Sequence, residues 1–181
     1  MQSPIEAVLA RWGRLDVVVN NAGIAPAEPP AVSDDFTAWE ALVRVNLDAV
    51  FRLSRLAGRA MLDRRHGSIV NIGSIGGASA LITSQPGYAA TKAALVGLTT
   101  ALAAEWAAHG VRVNTVAPGY IATDMNRTTR QDPVFVQAVA RRTPMARFGT
   151  PEEVASAVVF LASTRASSGQ TLFVDGGWST L

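Results

Sequence analysis

Ser68-Ile69-Val70-Asn71-Ile72, broken off by Gly73-Ser74, is a β-branched run that stops at a glycine turn. Its length and composition predict a short buried strand rather than a helix. Three further runs share the pattern: Leu15-Asp16-Val17-Val18-Val19-Asn20, Val111-Arg112-Val113-Asn114-Thr115-Val116 and Thr171-Leu172-Phe173-Val174. The segments between them are long and carry helix signals. That alternation predicts an α/β domain, a parallel sheet with helices on both faces.

The helix ends are marked. Ser33 before Asp34 and Asp35 reads as an N-cap with acids in the first turn, opening a helix that reaches His66 before Gly67. Pro86 opens a second helix ending at His109 before Gly110. Pro151, with Glu152 and Glu153, opens a third that runs to about Ser163, and a shorter one lies near Asp132 to Arg142. A first helix starts at Ser3-Pro4 and stops by Gly13. Each histidine then sits at a helix C-terminus before a glycine able to take the left-handed cap, a structural place rather than a catalytic one. The stretch Gly87 to Ala108 is Ala and Leu almost all round. It needs cover on both sides, by the sheet and by a second subunit, so a homodimer or homotetramer is expected.

Composition narrows the chemistry. The 181 residues, 49% hydrophobic and 17% charged, suit one domain spanning 1–181. There is no cysteine, which excludes disulfides, thiolate metal sites and cysteine nucleophiles; no metal site is among the candidates. The net charge is +2, and the basic residues are scattered rather than gathered into a phosphate-tracking tract, so nucleic acid is not the expected partner. Met1 to Trp12 holds Glu6 and Arg11, and no stretch reaches 18 uninterrupted apolar residues. Neither a signal peptide nor a membrane anchor is expected, and the protein reads as cytoplasmic.

Five features carry chemistry. Lys92, the one lysine in the chain, lies four residues after Tyr88, one of two tyrosines. Positions i and i+4 share a helix face, so the ammonium approaches the phenol, and a cation lowers a phenol's pKa toward usable acid/base range. The plainer alternative is an aliphatic stem packed on a ring. Ser74 follows a strand's C-terminal end, where a parallel sheet binds ligands, and could donate to a carbonyl oxygen; serine is also ordinary in glycine turns. Asn20-Asn21-Ala22-Gly23 ends the first strand with small groups suited to a flat ligand, or to a simple turn. Asn46 interrupts the apolar run Leu42 to Leu47 and, unless it faces solvent, needs a reason. Pro118-Gly119-Tyr120-Ile121-Ala122-Thr123 follows the third strand. No Gly-x-Ser-x-Gly occurs, which argues against a serine hydrolase.

Taken in order, Asn20-Asn21-Ala22-Gly23, Asn46, Ser74, Tyr88-x-x-x-Lys92, Pro118-Gly119 and Val174-Asp175-Gly176-Gly177 resemble the short-chain dehydrogenase/reductases. The resemblance spans essentially the whole chain and implies a Rossmann-like sheet. It also implies Tyr88 as acid/base, Lys92 on the nicotinamide ribose, Ser74 on the substrate carbonyl and Asn46 in a proton relay. Asn20, Ala22 and Gly23 would lie along NAD or NADP, while Pro118, Gly119, Ile121 and Thr123 hold its nicotinamide end. The implied reaction interconverts a secondary alcohol and a ketone, on a sugar or polyol by the likeness of Ala104-Glu105-Trp106-Ala107 and Pro118-Gly119-Tyr120-Ile121. A 3-oxoacyl carrier-protein reductase is the alternative, and Arg127, Arg130, Arg141, Arg142 and Arg147 either meet an anionic substrate or form a solvated surface. The Tyr-x-x-x-Lys spacing argues against the family's enoyl reductases, which space the pair more widely.

Two departures stand out. The family's Thr-Gly-x-x-x-Gly-x-Gly loop and its flanking elements have no counterpart in the 19 residues before Asn20, where roughly 70 more residues are expected. The chain therefore reads as the C-terminal two-thirds of such an enzyme, or as an inactive truncated fragment with a structural or oligomerising role. On its own it is expected to bind neither nucleotide well and to leave the first strand a bare edge. Second, Arg165-Ala166-Ser167-Ser168-Gly169 runs about two residues shorter than usual into the last strand.

Overall fold

The computed structural model describes residues 4–180 apart from Pro30, Asp34, Ala80 and Thr83, so the expectations for Ser3 and Asp34 fall outside the described residues. Four parallel strands form one sheet in the order β1 (Val17–Asn20), β2 (Gly67–Ile72), β3 (Val111–Pro118), β4 (Thr171–Val174). The helices are α1 (Pro4–Trp12), α2 (Thr37–Leu42), α3 (Ala49–Asp63), α4 (Pro86–Trp106), α5 (Pro133–Arg142) and α6 (Pro151–Ser163).

Side chains alternate across the sheet and divide the core in two. Ile69, Val111 and Val113 pack with Met61 of α3, Leu102 and Trp106 of α4 and Ile5 of α1. Val70 and Val116 face the other way and meet Ala157 and Leu161 of α6. Helices thus cover both faces, as the strand–helix alternation predicts. Gly58 lets α3 approach α4: a Cβ there would stand 2.7 Å from the Trp106 ring. β1 forms one sheet edge, with Val17 and Val19 exposed. Among the described residues no helix is long and apolar enough to cross a membrane.

Two helix ends differ from the sequence reading. The helix expected from Ser33 begins at Thr37; Ser33 Oγ accepts the Asp35 N–H, and Asp35 in turn accepts the Thr37 N–H at 2.9 Å. It ends at Asp63, and the left-handed residue beyond it is Arg65, φ 51°, not Gly67. Gly67 instead opens β2, where a Cβ would meet Met61 at 2.4 Å. At the other histidine the reading holds, since Gly110 takes φ 75°. Between α2 and α3 the helix continues through a π-helical stretch, Val43–Asp48, which carries Asn46.

The short run into β4 is closed from β3. Arg112 donates to the Leu161 and Ala162 carbonyls that end α6, at 2.7 and 2.8 Å. The buried Asn114 amide donates to Ser167 O, and its Oδ1 accepts from Ser167 Oγ and the Gln170 N–H. Asn114→Ala removes all three bonds and leaves buried groups unpaired, so it should destabilise the fold by about 3 kcal/mol. Urea unfolding should show a lower midpoint at unchanged slope; a loss under about 1 kcal/mol would mean the turn is held from elsewhere.

Candidate active site

The C-terminal ends of β1, β2 and β3 open into one cavity of about 760 Å³. Asn21 and Gly23 line it from β1, Ser74 from β2, Tyr88 and Lys92 from α4, and Pro118 to Ile121 with Thr123 from β3. This is where a parallel sheet presents its loops to a ligand.

Pro86 at the first helical position sets the start of α4, and the i, i+4 spacing turns Tyr88 and Lys92 to one side. The Lys92 ammonium is buried, lies 5.7 Å from the Tyr88 ring centroid and donates to the Ile72 carbonyl at 2.9 Å. Ser74 reaches the same wall because Gly77 lies on the α4 backbone. A Cβ at Gly77 would be 2.8 Å from both Lys92 C and Ala93 N. Ser74 Oγ accepts the Gly76 N–H at 3.0 Å, so its own O–H is directed at the cavity side, where Tyr88 lies within its reach.

Asn46 is wholly buried, not solvent-facing. Its Oδ1 accepts the Ile24 N–H and its amide donates to Ile24 O, each at 2.9 Å, so it clamps the loop after β1 to the π-helical stretch. Its amide also reaches Thr91 Oγ1 at 3.4 Å. Asn20 is turned inward: its amide donates to Ser54 Oγ and to Asn71 Oδ1, at 3.1 and 2.8 Å, and it does not line the cavity. Ala22 is exposed between the lining residues Asn21 and Gly23. Gly119 passes the end of β4, where a Cβ would stand 2.8 Å from Asp175 Cα. Ile121 bridges to Gly149, and Thr123 forms a capping box with Asn126.

The sequence reading passed over Tyr120 as a site residue. Its hydroxyl accepts the Ile82 N–H at 3.0 Å and so joins the loops after β2 and β3 across the cavity. Its rarity as the second tyrosine was the available signal. Glu28, also missed, bonds the first turn of α4 from 59 and 60 residues away, a distance no local pattern reveals.

Electrostatics correct one expectation. Burial pushes the Tyr88 phenol up from its ordinary value, against a hydrogen-bonding contribution from Ser74 that lowers it; Lys92 does not bring it down. The ammonium points at the Ile72 carbonyl rather than at the phenol oxygen. Burial also lowers Lys92, to about 8. Among the described residues Lys92 has one protein acceptor, so two of its three N–H donors are unused beside Gly23, where an added Cβ would lie 3.5 Å from the ammonium. A ribose bearing two hydroxyls fits those donors, and the nicotinamide half of NAD or NADP suits this part of the cavity. The glycines after β2 form a single 3₁₀ turn, Ile75–Gly77, capped by Ser74, rather than the start of a long helix.

Since Lys92 is the only lysine, ¹³Cε-lysine labelling reports this one side chain. Its signal should titrate near 8 in the folded chain and near the ordinary lysine value in urea. Because the unfolded chain then binds the extra proton between those values, stability should rise with pH from about 8 to about 10. A folded-state midpoint above about 10 would show that the amine is solvated.

Residues 1–179 match the model of the family described as enoyl-(acyl carrier protein) reductase. A galactitol 2-dehydrogenase (L-tagatose-forming) of Cereibacter sphaeroides is 46% identical over 171 residues, which cover 91% of this chain and 66% of the relative. The 3-oxoacyl-[acyl-carrier-protein] reductase FabG of Escherichia coli is 41% identical over 179 residues, covering 98% and 72%. Among solved structures, a gluconate 5-dehydrogenase of Burkholderia cenocepacia in complex with NADP and tartrate superposes with a TM-score of 0.91 at 41% identity, covering 98% and 69%. The chain thus spans about two thirds of the length of the galactitol dehydrogenase it matches. With those matches and a site of this geometry, the chain belongs to the short-chain dehydrogenase/reductases, a family of oxidoreductases that work with a nicotinamide cofactor.

Proposed function

We propose that the protein interconverts a secondary alcohol and a ketone on a sugar or polyol with NAD or NADP. The observation that carries this reading is the convergence of Tyr88, Lys92 and Ser74 on one cavity wall. When bound, the cofactor supplies or accepts the hydride. Ser74, hydrogen-bonded to Tyr88, can turn its O–H to the substrate oxygen, and Tyr88 gives or takes the proton at that oxygen. Lys92 holds the ribose through its two unused donors and places a positive charge near the site. A phenol held high by burial is the stronger candidate as proton donor, that is, in the direction of carbonyl reduction. Asn46 acts by fixing the loop that bears Asn21 and Gly23.

Four of the five arginines singled out between 127 and 147 have partners within the chain, which supports their reading as a solvated surface. Arg127 pairs with Asp124, Arg130 donates to Asn126 and Thr123, Arg142 lies 4.4 Å over the Trp178 ring, and Arg147 pairs with Glu153. Only Arg141 has no such partner among the described residues.

In the full-length protein Tyr88→Phe keeps the ring and removes the proton, so turnover of galactitol or gluconate should fall by about 100-fold or more while nucleotide affinity changes little. Normal turnover by that variant would remove Tyr88 from the chemistry. Faster reduction of a 3-oxoacyl thioester than of any sugar would favour the alternative substrate. We also assign the exposed face of α4, with Ala90, Ala93, Gly97 and Ala101, to contact with a second copy of the chain. A Cβ at Gly97 would meet nothing within 4 Å, so another backbone can approach closely there. Light scattering should show a dimer or larger; a monomer at micromolar concentration contradicts this.

A further inference from the structure

The first N–H groups of a helix have no partner within it. At the start of α4 the usual provider is idle: Gln85, in the N-cap place at φ −141° and ψ 69°, makes no capping bond. A carboxylate from elsewhere does so. Glu28 Oε2 accepts the Gly87 N–H at 2.7 Å and Glu28 Oε1 accepts the Tyr88 N–H at 2.9 Å. Both oxygens are used, on consecutive amides, and one amide is that of Tyr88 itself. Gly87 makes room for this, since a Cβ there would lie 2.8 Å from Glu28 Oε2 and 3.0 Å from Leu42 Cδ1. A charged acceptor at a helix N-terminus forms the stronger class of hydrogen bond.

The origin of the carboxylate gives the contact its meaning. Glu28 belongs to the segment 21–36, which contains no helix or strand among its described residues. The same segment lines the cavity through Asn21, Gly23 and Ala25 and is gripped at Ile24 by Asn46. It is therefore held at two points, one on the π-helical stretch and one on the Tyr88 peptide. Pro86 already presets the backbone for helix initiation, so a carboxylate is not needed merely to start α4.

We infer that Glu28 is a positioning residue for Tyr88, tying the phenol's backbone to the loop that walls the cavity on the β1 side. The inference rests on the reading of Tyr88 as acid/base. An acid/base group moved by about 1 Å loses much of its rate advantage, so the contact matters to turnover more than to binding.

In the full-length protein, Glu28→Ala should speed amide exchange at Gly87 and Tyr88 by about tenfold or more. It should lower kcat by about tenfold while the nucleotide KM stays within about twofold. Glu28→Gln keeps one acceptor oxygen at the same reach but turns an amide N–H toward the other backbone N–H, so it should recover only part of both losses. Unchanged exchange in Glu28→Ala would show that no cap exists; faster exchange with wild-type kcat would show that the cap does not position Tyr88. Should Glu28→Ala fail to fold, Glu28→Gln carries the test alone: smaller, matched losses of protection and kcat support the role, and a loss of one without the other overturns it. Full turnover by Tyr88→Phe would defeat the acid/base reading separately, because the exchange result does not depend on it.

Discussion

The loop after β2 lies directly on the backbone of α4, and only the absence of a side chain at Gly77 allows it. With backbone atoms of Lys92 and Ala93 2.8 Å from where a Cβ would stand, no flexible group can give way. That contact sets the distance between strand β2 and helix α4 at the cavity wall. Ser74, Tyr88 and Lys92 belong to those two elements, so their grouping follows from one close backbone approach. Gly73 extends the constraint to β3, where its N–H bonds Val116 O at 2.7 Å and a Cβ would meet Thr115 at 2.8 Å.

Burial of Lys92 opposes stability and serves the site. Desolvation disfavours the ammonium, and one carbonyl, that of Ile72, offsets part of the cost. A neutral side chain of similar length would pack there more favourably, but it would offer no donors to a ribose. The same trade is visible at Tyr88, whose burial raises the phenol's pKa and keeps it protonated. The sequence pair Tyr88 and Lys92 suggested a cation acting on a phenol. The geometry instead shows two desolvated groups on one wall, with the ammonium directed at backbone.

Much of this was legible in the chain because the signals were local. Strands announced themselves by β-branched runs, α4 and α6 by Pro at their first turns, and α5 by Asp132, whose side chain accepts the Val134 N–H. Ser74, Tyr88 and Lys92 were readable because short spacings place them on known faces of known elements. What escaped reading depended on side-chain partners that residue type and spacing do not name. Ser33 has the composition of an N-cap, yet the chain makes two successive side-chain turns before Thr37 opens the helix. Gly67 resembles a helix cap, but Met61 decides its place in β2. Asn20 sits in a stretch that suggests ligand contact, and its partners Ser54 and Asn71 draw it inward instead.

Those inward partners belong to a polar chain that fixes the sheet beneath the cavity. Asn20 pairs with Asn71 across β1 and β2, and Asn71 with Thr115 across β2 and β3, in register at the strands' C-terminal ends. From Asn20 the bonds pass to Asn71, then to Thr99 of α4 at 2.9 Å and on to Thr115 at 2.7 Å, all buried. An apolar surface tolerates sliding, whereas a slip of one residue here would expose every member to hydrocarbon without a partner. Ile72 and Gly73 follow Asn71 directly, and Pro118 lies three residues beyond Thr115. The chain therefore sets the register in which the lysine's carbonyl partner, the serine turn and the β3 loop reach the cavity together.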